Sequence, residues 1–112
     1  KDLRLVPLFD LYGELLKESQ KNMFDLYYND DLSLAEIAEH TGITRQGVRD
    51  SIKRAEEFLR ATEKKLGFAE KNRYISHVTS ETEEKIGALK AAHPELSETL
   101  NDILARLRTL PL

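Results

Sequence analysis

The stretch that decides the fold is Ser33–Leu59, SLAEIAEHTGITRQGVRDSIKRAEEFL. Ser33-Leu34-Ala35-Glu36 reads as a capping box, in which the hydroxyl accepts from the third helical N–H and the carboxylate reaches back to the cap N–H. A short helix follows through Ile37 and Ala38. It ends at Thr41-Gly42, because glycine takes the left-handed backbone that closes a helix without a Cβ penalty. Only Ile43 separates that glycine from Thr44, which reads as the N-cap of a second, longer helix starting at Arg45. Short helix, tight turn and long helix form a helix-turn-helix pattern. The pattern requires a small residue where the helices cross, which Ala38 supplies. It also requires a plug at the turn (Ile43) and inward anchors on the second helix (Val48 and Ile52). Two features depart from the simplest version: Thr41 stands where a larger apolar residue is usual, and Ile52 sits one place late.

The outward face of the second helix follows from helical geometry. At about 100° per residue from Val48, Ile52 and Leu59 lie near the core direction, and Gln46, Arg49, Asp50 and Lys53 cluster on the far side. Charge is distributed to match. Residues 44–54 carry four basic and one acidic side chain, whereas residues 1–43 carry four basic and nine acidic ones. Thr44 and Arg45 occupy the helix start, where backbone N–H groups and side chains meet phosphates. Gln46 and Arg49 are of the types that make bidentate contacts to base edges in the major groove. Lys53 and Arg54 are placed to hold the flanking backbone. The candidate nucleic-acid-binding set is therefore Thr44, Arg45, Gln46, Arg49, Asp50, Lys53 and Arg54. A solvated basic helix face is the plain alternative, and the coincidence of island and outward face favours the reader.

Outside this motif the periodicity stays helical. Leu8, Leu11, Tyr12, Leu15 and Leu16 mark a first helix, and Pro7 suits its early turn. Ser19 reads as the N-cap of a second helix carrying Met23, Phe24, Tyr27 and Tyr28, so that the two form an antiparallel hairpin. Asn29-Asp30-Asp31 breaks the chain before the capping box. The long helix continues its stripe through Ala55, Leu59, Thr62 and Leu66. Gly67 and the polar run Glu70-Lys71-Asn72 predict a break within 67–73, with a further helix beginning at Tyr74. His93-Pro94 ends that helix, and Leu96, Leu100, Ile103, Leu104 and Leu107 mark the last. The expected fold is an all-α helical bundle containing the helix-turn-helix with a C-terminal helical extension. Its division is 1–66, the motif with its N-terminal hairpin, and 67–112, an extension for packing or for a homodimer.

Composition narrows the function classes. The chain has 112 residues, 33% of them charged, a net charge of −3 and no cysteine, which removes disulfides, thiol nucleophiles and Cys-ligated zinc. His40, His77 and His93 are far apart and lack paired ligand spacing, so no metal is expected. Glu81, Glu83 and Glu84 stand in a solvent-like run without a nucleophile. No glycine-rich phosphate loop is present. The expectation is a non-enzymatic cytoplasmic protein without cofactor or membrane insertion, trimmed at its N-terminus, since it starts at Lys1 rather than Met. Adjacent Tyr27 and Tyr28 point to different sides of their helix, and packing is preferred to base stacking for them.

These residues carry a family resemblance. The segment Ser33–Leu59 resembles region 4 of bacterial sigma factors. The run LFDLYGELL through LYYNDDLSLAEIAEHTGITRQGVRDSIKRAEEFL to EKKL is similar to the YlxM family, over about residues 3–71. The resemblance implies an all-α fold, a link to the signal recognition particle pathway, and contacts through Arg45, Gln46, Arg49, Asp50, Lys53 and Arg54. Gly47-Val48-Arg49 replaces the family's more usual Ala-Val-Tyr, which alters the contact chemistry at position 49. Three readings of function follow: a regulator binding double-stranded DNA, an adaptor docking a signal recognition particle component through the acidic first 43 residues, and an RNA binder. A-form grooves suit a helix reader poorly, which places DNA first.

Overall fold

Val48, Ile52, Ala55 and Leu59 are at most 3% exposed, and the helix that carries them, α4 (Arg45–Leu66), is the element on which its neighbours pack. The computed structural model describes residues 1–111, and among them there is no strand. Before α4 come α1 (Leu5–Tyr12), a 3-10 turn at Gly13–Leu15, α2 (Glu18–Tyr28) and α3 (Leu34–Thr41). After it come α5 (Phe68–Ala92), a second 3-10 turn at Pro94–Leu96, and α6 (Ser97–Leu107). The chain divides into two compact units, Lys1–Ala69 and Glu70–Leu112.

In the first unit, α1, α2 and α3 each lie against α4. The core joins Leu5, Leu8 and Tyr12 of α1, Met23, Phe24 and Tyr28 of α2, and Ile37 of α3 to the α4 stripe. Phe24 is fully buried and stacks between Phe9 and Tyr28, with ring centroids 4.4 and 4.1 Å away. Offset stacks of this kind add about 0.5–1.5 kcal/mol to the burial itself. The expected α1–α2 hairpin is thus only loosely packed. The two helices pack chiefly on α4 and meet each other through the Phe9–Phe24 rings. The intervening residues Gly13–Leu15 wind as a 3-10 turn, which shortens α1 by its expected last turn.

Two tyrosines fasten this unit to α4. The Tyr12 hydroxyl donates to Glu63 at 2.7 Å and accepts from the Phe68 N–H at 3.3 Å. The Tyr28 hydroxyl donates to Glu56 and accepts from the Asp2 N–H at 3.1 Å. Glu56 and Glu63 stand two helical turns apart on α4, so one edge of that helix receives both phenols. Burial together with the Glu56 carboxylate pushes the Tyr28 phenol up to about 12, and burial with Glu63 raises Tyr12 as well.

Four local expectations are corrected. α2 starts at Glu18 with Lys17 as an N-cap that makes no side-chain bond, and Ser19 lies inside the helix. An acidic residue in the first turn suits the positive end of the helix, so Glu18 does part of what a cap would do. The break after α4 is confined to Gly67, at φ 66°, and α5 begins at Phe68 rather than Tyr74. The polar run Glu70-Lys71-Asn72 stays helical, because the first N–H groups of α5 already have acceptors in Tyr12 and, for Ala69 at 3.0 Å, Glu63. Leu66 is 43% exposed, so the buried stripe ends at Leu59. Ile43 is 40% exposed and does not plug the core. Ile37 and Val48, both fully buried, anchor the motif on either side of the turn instead.

The second unit is built from α5, from Glu70 onward, and α6. His93 leaves the α region (φ −132°, ψ 72°) before Pro94, as the proline ring requires of its predecessor. Lys90 bonds Asn101 at 2.7 Å, and Arg108 approaches Glu83 at 3.9 Å. The two pairs run in opposite chain directions, so α6 lies antiparallel along the C-terminal part of α5.

Candidate nucleic-acid interface

The turn that aims α4 is built from local chemistry. The Ser33 hydroxyl accepts from the Glu36 N–H at 3.1 Å, and Glu36 accepts from the Ser33 N–H at 3.1 Å. These bonds hold the Glu36 carboxyl below its usual range. Gly42 closes α3 at φ 74°, where any Cβ would be strained although space is open around it. The Thr44 hydroxyl then accepts from the Gly47 N–H at 3.1 Å and caps α4. Gly47 itself is crowded: a Cβ there would come within 3.0 Å of the Ile43 side chain and the Thr44 hydroxyl. Glycine at 47 thus lets the turn close tightly over the first turn of α4.

Thr44 at the N-cap and Arg45, Gln46, Arg49, Asp50, Lys53 and Arg54 on the first three turns of α4 are all exposed. Arg45, Arg49, Lys53 and Arg54 make no ion pair with any described residue. Gln46 and Asp50 are occupied with each other, the amide donating to the carboxylate at 2.9 Å. That bond holds the one acid of the island against a neutral partner rather than against a cation, and the island keeps a net charge of +3. Unpaired, solvent-facing cations suit an anionic partner: they give up little existing interaction to meet it.

The face has a boundary that the charge count did not reveal. Arg49 and Lys53 line a groove of about 350 Å³ with Tyr27, Leu34, Glu57 and Arg60. Glu56 and Glu57 follow the island across Ala55, and Arg60 turns toward Asp2 at 3.5 Å. The run of unpaired cations along α4 therefore stops after Arg54. Lys1, Tyr27 and Arg60 at the groove were not among the candidate residues. Tyr27 carried a signal in the sequence as one of two adjacent aromatics. Tyr28 packs into the core, while Tyr27 is half-buried with the Lys1 ammonium 4.8 Å from its ring centre. Lys1 and Arg60 join through tertiary contacts alone.

Other chemistry is sparse. Among the described residues no three His, Cys, Asp or Glu side chains gather as a metal site would require. His77 and His93 are exposed and lie beside Glu81 and Glu95 at 3.0 and 3.2 Å. Among the described residues no helix is long and apolar enough to cross a membrane.

Comparison with known proteins places this architecture. Residues 1–100 match the family model UPF0122, described as "Putative helix-turn-helix protein, YlxM / p13 like". A UPF0122 protein of Clostridium kluyveri is 56% identical over 73 residues, which are 65% of this chain and 66% of that protein. A UPF0122 protein of Thermoanaerobacter sp. strain X514 is 36% identical over 112 residues, covering 98% of this chain and 96% of the relative. A third, from Clostridium novyi, is 41% identical over 103 residues and 90% of each chain. With the capped α3, the αL turn at Gly42 and the basic start of α4 in place, and with a family match spanning most of its length, the chain belongs to the UPF0122 family of YlxM/p13-like helix-turn-helix proteins.

Proposed function

We propose that this protein binds double-stranded DNA by inserting the first three turns of α4 into the major groove, as a non-enzymatic cytoplasmic regulator of transcription. The observation that carries the reading is the set of four exposed, unpaired cations, Arg45, Arg49, Lys53 and Arg54, on the outward face of a helix whose other side is locked into the core. Phosphate contacts from Arg45, Lys53 and Arg54, with Thr44 at the helix start, supply affinity. Arg49 and Gln46 read base edges, and Gln46 exchanges its bond to Asp50 for a base. The overall charge of −3 opposes non-specific attraction, so binding depends on the local island. A place in the signal recognition particle pathway, through a component of that particle, is the further role suggested by the resemblance to the YlxM family. A homodimer would give two readers for two half-sites one helical turn apart.

The test is duplex binding by fluorescence anisotropy across a salt series. Three or four neutralised phosphates predict a log–log slope of about −3. Arg49→Ala weakens specific binding by about 1–3 kcal/mol, and joint replacement of Arg45, Arg49 and Lys53 by alanine flattens the slope. A flat salt response in the wild type, or an unchanged slope in the triple variant, rejects the reading and favours the adaptor.

A further inference from the structure

In the unit Glu70–Leu112 the N-terminal part of α5 keeps its apolar side chains in solvent. Tyr74 is 70% exposed, Ile75 40% and Val78 42%. The pair Glu83–Arg108 already lies at the end of α6, so this stretch extends beyond the reach of its antiparallel neighbour. A helix with an uncovered apolar strip gains by covering it, and the charges beside the strip indicate what covers it.

Lys71, Tyr74, Val78 and Glu81 follow one another at steps of three, four and three, which places them along one stripe of the helix. All four are exposed. The stripe reads as a palindrome in chemical terms. Its cation and anion are equidistant from position 76, and its two apolar residues are equidistant from the same point. We infer that α5 pairs antiparallel with α5 of a second copy of this chain, about a twofold axis near residue 76. Tyr74 of each copy then packs on Val78 of the other, and Lys71 of each faces Glu81 of the other, every contact being made twice by symmetry. Parallel pairing would set Lys71 against Lys71 and Glu81 against Glu81, and like charges opposed in this way favour the antiparallel arrangement. Ile75 widens the apolar strip on one side. On the other, His77 meets Glu81 at 3.0 Å within its own helix. The seam is short, so the dimer is a reversible one at the low end of specific interfaces. Association of this kind stands whether or not α4 reads DNA, because none of the stripe belongs to α4.

Sedimentation equilibrium on the full chain, without nucleic acid, tests the assignment. The wild type shows a monomer–dimer equilibrium, and Val78→Asp shifts it to monomer. Lys71→Glu and Glu81→Lys each weaken association about tenfold, since each turns two attractive pairs into repulsive ones. The double exchange, Lys71→Glu with Glu81→Lys, restores it. Circular dichroism checks that helicity is unchanged in each variant. Should Val78→Asp lose helicity, the charge exchange decides alone. A wild type that stays monomeric up to about 200 µM, a concentration at which an association of only about −5 kcal/mol would already be visible, leaves the strip to an unlike partner and overturns the proposal. A double exchange no better than the single variants overturns it too.

Discussion

Lys1–Ala69 buries thirteen apolar side chains in one cluster, whereas among the described residues of Glu70–Leu112 only Leu100 is buried. The difference does not follow helix length, because α5 has 25 residues and α4 has 22. It follows periodicity. The α4 stripe steps by four, three and four from Val48 to Leu59, and three helices pack on it. The apolar positions of α5 are spread over a wider arc, and α6 covers only the C-terminal part. A regular stripe makes a core, and an irregular one leaves surface for something else. The basic island sits on the well-packed unit, on a helix whose inner side is buried against three others.

The contrast can be broken or sharpened by substitution. The largest expected effect is Phe24→Ala, which opens the centre of the first cluster and costs about 3–5 kcal/mol in urea unfolding. A loss below about 1 kcal/mol would mean that the aromatic stack is dispensable. Next comes the alkaline limit. The Tyr28 phenol is raised to about 12 by burial and by Glu56, so the folded state holds its proton more tightly than the unfolded chain does. That contribution is fully present below the ordinary tyrosine range and is lost as pH rises from about 10 toward 12. Tyr28→Phe should remove this part of the alkaline decline in melting temperature. Gly42→Ala is smaller, about 1–2 kcal/mol, because it forces a Cβ onto a left-handed backbone with no clash to relieve. Ser33→Ala costs about 1 kcal/mol through the lost cap. Smallest is Leu89→Ala in α5, 44% exposed, expected to change stability by no more than about 0.5 kcal/mol. A larger loss there would show the second unit to be better covered than its surface indicates.

The motif was legible because its determinants lie within a few residues of one another. Ser33 with Glu36, Gly42, and Thr44 with Gly47 act over one helical turn, and the structure has each where local chemistry required it. The same holds for the end of α5 at His93-Pro94. The candidate face was legible for a related reason: with Val48 and Ile52 inward, helical geometry leaves Gln46, Arg49, Asp50 and Lys53 outward. What the pattern missed was decided at long range. The inward role assigned to Ile43 passed to Ile37, beside the already expected Val48. The helical break at residues 67–73 shrank to Gly67 because side chains from α1 and α4 took up the first N–H groups of α5.

By itself, the sequence determined the helices, the turn at Gly42 and the charge island, since capping, left-handed glycine and a 3.6-residue repeat are properties of neighbouring residues. Only the tertiary structure decided that Tyr12 and Tyr28 would bond Glu63 and Glu56, partners 51 and 28 residues away, and that Arg60 would turn to Asp2 while Arg49 and Lys53 stayed unpaired. Those outcomes depend on which helix faces meet. Packing against α4 settles that, and no local pattern contains it.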